Sequence, residues 1–261
     1  MEKIDWKNVE RQIVKYGSSP PFDHVVIDGF FKSAFAEKLV KEFPSFDSDI
    51  WLKYDNPIEI KKVCNNWNVF PKNTYSIFSY FNSSQWLDYL SRKLLGGDQL
   101  YADSGLNGGG WHIHKKGGKL NTHLDYSLHP KLALQRKLNI IIYLNPNWKQ
   151  EWGGALGLWD NKSAEKPGNL METIWSKFNR AVIFDTTQNS WHGLPEPLNC
   201  PENEFRQSLA AYFLCDAPVD VDKRGKALFS PTKEQENDKQ VIDLIKKRSN
   251  VETASSVYSK S

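Results

Sequence analysis

The hydrophobic pattern in the second half of the chain predicts several β-strands. Residues 138–145 form an apolar run rich in β-branched residues, which is typical of a buried strand. Residues 152–159 combine a glycine turn with alternating apolar positions, and two further candidate strands cover residues 180–185 and 205–214. This part of the chain is therefore predicted to be mainly β.

The first half mixes helical and extended patterns. Apolar positions at helical spacing predict a helix over residues 4–16, and the run 22–31 predicts a strand that leads into a turn. Ser33 is a candidate N-cap for a helix over residues 34–43. We therefore expect helices that support the β-rich half.

Two longer segments follow. Residues 45–73 are aromatic but irregular, and we expect a loop of the kind that carries specificity. Residues 75–95 have apolar positions at helical intervals up to Gly96 and Gly97, which predicts one helix. Beyond Leu214 the composition becomes polar.

That polar part is predicted to be a C-terminal extension. Residues 216–232 resemble a loop, residues 233–248 could form a polar helix, and residues 249–261 are expected to be mobile. The predicted organisation is one domain over residues 1–215, followed by an extension over residues 216–261.

Composition and charge exclude several classes of protein. A net charge of +3 and a pI of about 8.5 are too mild for a nucleic-acid-binding protein. The sequence shows neither an apolar signal region nor a segment of membrane-spanning length. Its 3 cysteines lack C-x-x-C spacing, so neither a disulfide framework nor a zinc knuckle is indicated. A reducing, cytoplasmic setting is the expectation.

The most informative chemistry is the His-x-Asp motif formed by His123 and Asp125. In a strand these two side chains lie on the same face, and a third ligand from a distant strand, His192, could complete a site for one metal ion. Two imidazoles and one carboxylate are the ligand set of non-haem Fe(II) enzymes that use oxygen. A second metal site at His112 and His114 is a weaker alternative.

Several motifs follow one another in a specific order along the chain. They are His-x-Asp at 123–125, Tyr-Leu-Asn at 143–145, Gly-Gly at 153–154, His192, and Arg-x-Ser at 206–208. In this ordered set the chain resembles the prolyl-hydroxylase-like branch of the Fe(II)/2-oxoglutarate-dependent dioxygenases, over roughly residues 22–214. The resemblance implies a mainly β fold with supporting helices, a double-stranded β-helix of the cupin-like jelly-roll type.

The resemblance also implies roles for individual residues. His123, Asp125 and His192 would hold the metal, and Arg206 and Tyr143 would bind the far carboxylate of 2-oxoglutarate. Ser208 follows Arg206 by two positions, so both side chains would point the same way. Many relatives carry a tyrosine shortly before the His-x-Asp motif, whereas this chain has Ile113 and His114 there.

Other residues near the motifs are candidates for the substrate pocket. Tyr126 and Trp191, which adjoin ligands, could line the pocket or simply pack, and Arg136 could face it or lie at a solvated strand end. Alternation along the strand places Asn139 and Ile141 on the same face as Tyr143. The basic group at Lys115, Lys116 and Lys119 could be a solvated loop or a positively charged mouth.

The implied function is hydroxylation of an unactivated C–H bond, with a prolyl residue of a peptide or protein as substrate. Fe(II), 2-oxoglutarate and O₂ would be required, ascorbate would serve as a reductant, and succinate and CO₂ would be co-products. The alternatives are a hydroxylase of a free amino acid or other small metabolite, and a non-catalytic jelly-roll binding module. An open groove at residues 45–73 would favour a polypeptide, and a closed lid would favour a small molecule.

Overall fold

The structure is a computed structural model that describes residues 3–161 and 165–257. The described residues contain five α-helices, four in the N-terminal half of the chain and one near its C-terminal end. The helices are α1 (Trp6–Ile13), α2 (Ser33–Glu42), α3 (Lys72–Phe81), α4 (Ser84–Leu94) and α5 (Lys239–Ser249).

Strands dominate the rest of the described chain. In the N-terminal half they are β1 (His24–Asp28), β2 (Leu52–Asn56), β3 (Glu59–Cys64), β4 (Tyr101–Ala102), β5 (Gly110–His114), β6 (Lys119–Leu120) and β7 (His123–Leu124). In the C-terminal half they are β8 (Gln135–Tyr143), β9 (Leu156–Trp159), β10 (Leu170–Ile174), β11 (Arg180–Asp185), β12 (His192–Gly193), β13 (Arg206–Cys215) and β14 (Leu228–Phe229).

The strands form two antiparallel sheets. Within the described residues, the larger sheet has nine strands in the order β1-β11-β8-β13-β5-β3-β2, with β4 paired to β13 and β6 paired to β3. The smaller sheet has five, in the order β10-β9-β12-β7-β14. A buried cluster that includes Tyr143 and Val182 from the larger sheet and Leu156 and Leu158 from the smaller one fills part of the space between them.

Alternation along β13 separates the two faces of the larger sheet. Leu209 and Phe213 pack into the main hydrophobic core, which the sheet shares with α1 to α4. Arg206, Ser208 and Tyr212 point to the opposite face and line an internal cavity. Because side chains alternate with period two, one strand both supports the core and builds the cavity.

The helical predictions need two corrections. Ser33 is not the N-cap of α2, because the carbonyl of Lys32 already accepts the first helical hydrogen bonds, from the amides of Phe35 and Ala36. The predicted single helix over residues 75–95 is two helices. The chain turns at Ser83, whose hydroxyl caps α4.

The loop prediction for residues 45–73 was wrong in part. Residues 52–64 form the hairpin β2–β3, which joins the larger sheet through pairing of β3 with β5. The hydrophobic pattern did not predict these strands because they lie at the sheet edge and carry mostly polar side chains. The short strands β10 and β14 were missed for the same reason, since neither has a long apolar run.

The C-terminal extension packs against the hairpin and the smaller sheet. Strand β14 pairs with β7, and Ile58 at the hairpin tip shares a buried cluster with Phe229, Val241 and Ile245. Residues 258–261 of the segment that was expected to be mobile lie outside the described residues. No helix in the described part of the chain combines the length and the apolar character needed to cross a membrane.

Candidate active site

Three side chains from separate parts of the sequence meet at the smaller sheet. His123 and His192 lie opposite each other on the paired strands β7 and β12, and Asp125 follows β7 directly. The ligand atoms of these three residues all lie within 4.8 Å of one another. The Nε2 atoms of His123 and His192 lie 3.9 and 3.8 Å from the two carboxylate oxygens of Asp125, which is too far for hydrogen bonds.

Backbone carbonyls set the orientation of both imidazoles. Nδ1 of His123 donates to the carbonyl of Asn121 at 3.0 Å, and Nδ1 of His192 donates to that of Ser190 at 2.8 Å. A carbonyl can only accept, so in the neutral ring the lone pair is on Nε2, which faces the site. Burial lowers the pKa of both histidines, that of His123 well below its usual range. Both rings are therefore neutral and suited to bind a metal.

Two arginines hold Asp125 in place. Burial alone would raise the pKa of this carboxyl group, but Arg136 and the two histidines lower it, and the net shift is downward. Nη1 of Arg136 lies 3.2 Å from the carboxylate, and Nη1 of Arg224 donates to the backbone carbonyl of Asp125 at 2.5 Å. The carboxylate is thus ionised and oriented before any metal binds.

Arg136 is not a solvated strand end. Its guanidinium carbon lies 3.4 Å from the ring centroids of both Tyr126 and Tyr212, so the group is held between two aromatic faces. Its Nη2 also donates to the carbonyl of Asn107 at 2.6 Å. Arg136 and Tyr126 both line the cavity, and Arg136 holds the candidate ligand Asp125.

Arg206 is anchored at one end of the cavity. Its Nε donates to the carbonyl of Gly154 at 2.6 Å and to the hydroxyl of Ser176 at 3.0 Å, which leaves the terminal nitrogens for a ligand. Gly154 has a φ of +75°, and a Cβ there would come within 2.8 Å of Cδ of Arg206. Gly154 of the Gly-Gly motif is therefore needed for the close approach of the arginine.

Several buried polar groups beside Arg206 have no partner. The hydroxyl of Tyr143 is fully buried next to the Arg206 guanidinium, whose carbon lies 5.0 Å from the ring centroid, yet no atom meets it at hydrogen-bond geometry. Both ring nitrogens of His114, which pairs with Arg206 across the strands, are also buried without a partner. Such groups are rare in native proteins and indicate a polar ligand.

The cavity has a volume of about 200 Å³ and contains most of the predicted site residues. Besides the three candidate ligands, its walls include Arg206, Ser208, Tyr126, Arg136, Asn139 and Ile141. Tyr143 is not among the lining residues, but its ring lies directly beside the guanidinium of Arg206, which is. Trp191 is fully buried away from the cavity lining, so of its two interpretations the structure favours packing.

Sequence reasoning missed other wall residues. Tyr54 and Lys61 come from the hairpin β2–β3, and Lys226 and Arg248 come from the C-terminal extension. No spacing pattern marks these residues, because each is a single side chain in a polar stretch. The second metal site considered at His112 and His114 has no third ligand, and the group His123, Asp125 and His192 is the one such cluster among the described residues.

This arrangement fits an iron centre and a keto acid. Two neutral imidazoles and one ionised carboxylate leave coordination positions open, as non-haem Fe(II) sites require. The unpartnered Tyr143 hydroxyl and the terminal nitrogens of Arg206 form a buried place for a carboxylate.

Comparisons with known proteins agree with this chemistry. The family model of the 2OG-Fe(II) oxygenase superfamily matches residues 109–214, the segment that contains all three candidate ligands and Arg206. Prolyl 3-hydroxylase OGFOD1 of Mus musculus is 30% identical over 78 residues, which is 30% of this chain and 14% of that protein. The match therefore spans only a small part of the curated relative.

Solved structures share the fold. A prolyl hydroxylase from Trichoplax adhaerens, in complex with a hypoxia inducible factor peptide fragment, has a TM-score of 0.57 at 17% identity and covers 80% of this chain and 90% of its own. A prolyl-4-hydroxylase from Pseudomonas putida has a TM-score of 0.56 at 14% identity, with 80% and 97% covered. The predicted jelly-roll is confirmed.

Fold, ligand geometry and family match agree with one another. Residues 109–214 match the 2OG-Fe(II) oxygenase superfamily, and the site that they build has the side chains needed to hold Fe(II) and a keto acid.

Proposed function

We propose that this chain is an Fe(II)- and 2-oxoglutarate-dependent dioxygenase that hydroxylates a prolyl residue in a peptide or protein, with succinate and CO₂ as co-products. The observation that supports a polypeptide substrate is a groove of about 450 Å³ beside the cavity. The groove and the cavity share Tyr54 and Lys61 as wall residues, so the two spaces adjoin. A polypeptide in the groove would lie next to the metal centre.

The residues of the site divide into two groups in this proposal. His123, Asp125 and His192 hold Fe(II), while the guanidinium of Arg206 and the hydroxyl of Tyr143 bind the far carboxylate of 2-oxoglutarate. Ser208, on the strand between Tyr143 and His112, adds a polar wall beside them. When bound, the metal and the keto acid would supply the oxygen chemistry that converts a C–H bond into C–OH, and ascorbate would keep the iron reduced.

The residues that line the groove indicate which kind of substrate it could hold. It runs between strand β3 and residues 115–117, and its walls are Phe46, Asp47, Lys53, Tyr54, Asp55, Ile60, Lys61, Lys62, Lys115, Lys116 and Gly117. Lys115 and Lys116 are therefore part of a charged groove next to the site. A groove that adjoins the cavity offers room for the residues that flank a target proline, which favours a chain over a compact metabolite.

The relatives support the prolyl substrate. The curated protein with the local match is a prolyl 3-hydroxylase, and two solved structures with this fold are prolyl hydroxylases. These names concern those proteins, and for this chain they motivate the first substrates to be tried.

A mass-shift screen tests the proposal. The purified protein is incubated with Fe(II), 2-oxoglutarate, ascorbate and a library of prolyl peptides, and each product is analysed for the gain of one oxygen atom. We expect the oxygen on the prolyl residue, one succinate per hydroxylated peptide, and no product from matched peptides in which Ala replaces Pro. Oxygen gain by free amino acids or sugars in a parallel panel, with none in any peptide, would reject the prolyl assignment.

Two variants separate the enzyme from a binding module. His123→Ala and Asp125→Ala each remove a candidate metal ligand, and we expect both to abolish succinate formation with or without a substrate. Lys131→Gln, an exposed substitution away from the cavity, is the control. If the two alanine variants turn over 2-oxoglutarate as fast as the parent, the metal site is assigned wrongly.

A further inference from the structure

The cavity contains more positive charge than iron and 2-oxoglutarate require. The cationic side chains in its walls are Lys61, Arg136, Arg206, Lys226 and Arg248, and Asp125 is the one carboxylate among the described lining residues. Arg136 is paired with Asp125, and Arg206 faces the keto acid in the function proposed above. Lys61, Lys226 and Arg248 remain, and we call them the cationic wall.

Glu59 balances the cationic wall only in part. Nε of Arg248 lies 2.9 Å and Nζ of Lys61 lies 3.4 Å from the two carboxylate oxygens of Glu59, which is fully buried. Lys226 forms no ion pair with any described residue. Glu59 thus pairs with Lys61 and Arg248, and the charge of Lys226 is the one left without an ion pair among the described residues.

The environment makes this excess charge costly. Burial lowers the pKa of Lys61, and burial together with nearby Arg248 lowers that of Lys226. Charges taken out of water are expensive unless a counter-charge is close. Bound Fe(II) and the two carboxylates of 2-oxoglutarate cancel each other, so they leave the positive excess in place. An anion in the remaining space would relieve it.

The position of the cationic wall in the sequence points to specificity. Lys61 lies on the hairpin β2–β3, and Lys226 and Arg248 lie in the C-terminal extension, so all three are outside the segment 109–214 that matches the superfamily. The shared domain carries the iron and keto-acid residues, and the flanking segments supply these cations. This division is expected if the cations select the substrate.

We propose that the substrate carries an acidic group that binds against Lys61, Lys226 and Arg248. The proposal rests on the function proposed above, where the acidic group belongs to an aspartyl, glutamyl or phosphorylated residue close to the target proline. Arg248 and the lysines can donate charge-assisted hydrogen bonds to either a carboxylate or a phosphate.

Matched peptides test the proposal without turnover. The full chain is loaded with Mn(II) and 2-oxoglutarate in the absence of O₂, and fluorescent prolyl peptides with Asp, Asn or Lys at each flanking position are titrated by anisotropy. We expect Asp peptides to bind about tenfold or more tightly than their Asn counterparts, and Lys peptides to bind most weakly. Equal binding of the three peptides to the parent protein overturns the proposal.

Variants locate the effect in the cationic wall. Lys226→Gln should remove most of the preference for Asp, and Lys226→Glu should shift it toward Lys peptides. Lys247→Gln removes the same charge from an exposed position of the same extension and should leave the preference intact. Circular dichroism verifies folding of each variant, and a Lys226→Gln variant that is folded but retains the full preference for Asp overturns the role of Lys226.

A further arm separates this proposal from the prolyl assignment. If no peptide binds or is hydroxylated, the prolyl assignment fails, and thermal denaturation of the loaded protein with N-acetylaspartate or O-phosphoserine then tests the cationic wall directly. Stabilisation of the parent but not of Lys226→Gln supports an acidic substrate of another class. If only O-phosphoserine stabilises the parent protein, the acidic group of the substrate is a phosphate. If N-acetylaspartate also stabilises it, the acidic group can be a carboxylate. No stabilisation, or equal stabilisation of both proteins, overturns the proposal.

Discussion

The ring of Phe229 stacks on the imidazole of His123, with the two ring centroids 5.0 Å apart and the planes inclined by 19°. The two residues are also register partners, because β14 pairs with β7. Phe229 is buried with Ile58, Val241 and Ile245. The C-terminal extension is therefore one wall of the candidate metal site.

We expect Phe229→Ala to weaken both folding and metal binding. Loss of a buried aromatic ring costs about 3–5 kcal/mol in a well-packed core, and it would also free the His123 imidazole to rotate. Urea unfolding and calorimetric titration with Mn(II) measure the two effects.

Ile245→Val is the matched control for Phe229. It lies in the same cluster, is expected to cost about 0.5–1.5 kcal/mol, and should leave the affinity for Mn(II) unchanged. If Phe229→Ala binds Mn(II) as tightly as the parent, the stacked ring has no part in positioning the ligand.

Arg206→Met should weaken 2-oxoglutarate binding by about 10–100-fold, because charge-assisted hydrogen bonds contribute roughly 1.5–3 kcal/mol. The affinity for Mn(II) alone should stay the same, since Arg206 is not a metal ligand. Titration of 2-oxoglutarate into the Mn(II)-loaded protein measures the change. Arg92→Met, on the exposed face of α4, is the control and should bind 2-oxoglutarate like the parent.

Tyr143→Phe should have opposite effects with and without the co-substrate. The hydroxyl is buried without a partner in the ligand-free protein, so its removal should leave the free energy of unfolding unchanged or raise it by up to about 1 kcal/mol. With 2-oxoglutarate present, one hydrogen bond is lost, and affinity should fall about 3–10-fold. Chemical denaturation with and without 2-oxoglutarate tests both signs, and a clear loss of stability in its absence would contradict the assignment.

The metal-free protein should become less stable as the pH falls below 6.5. Burial lowers the pKa of His114, His123 and His192, so the unfolded chain takes up protons that the folded protein excludes. Their contribution is fully present above the unfolded pKa of about 6.5 and is lost as the pH falls from there toward the folded values. The free energy of unfolding, measured with urea in the presence of a chelator, should fall between pH 6.5 and 5 by at most about 2 kcal/mol for each imidazole.

His114→Leu provides the control for this pH dependence. It removes one of the imidazoles named above without changing the candidate ligands, so the loss of stability between pH 6.5 and 5 should be smaller than in the parent protein. A stability of the metal-free parent that does not change over this range would refute the explanation.

The sequence predicted the central strands well and the edges poorly. Strands β8, β11 and β13 carry apolar residues on both faces because helices cover one face and the cavity or the second sheet covers the other. The hairpin β2–β3 lies at an edge, where polar side chains meet solvent and no apolar run forms. The break at Ser83 was hidden because α3 and α4 continue the same apolar spacing.

The sequence by itself determined the fold class and the residues capable of holding iron and a keto acid, because these need rare side chains in a fixed order: His123, Asp125, His192 and Arg206. Only the tertiary structure decided which single residues of the polar segments join them. Lys61, Lys226, Phe229 and Arg248 reach the cavity through the pairing of β3 with β5 and of β14 with β7 and through the packing of α5. Contacts of this kind depend on how distant strands meet, and local sequence patterns do not record them.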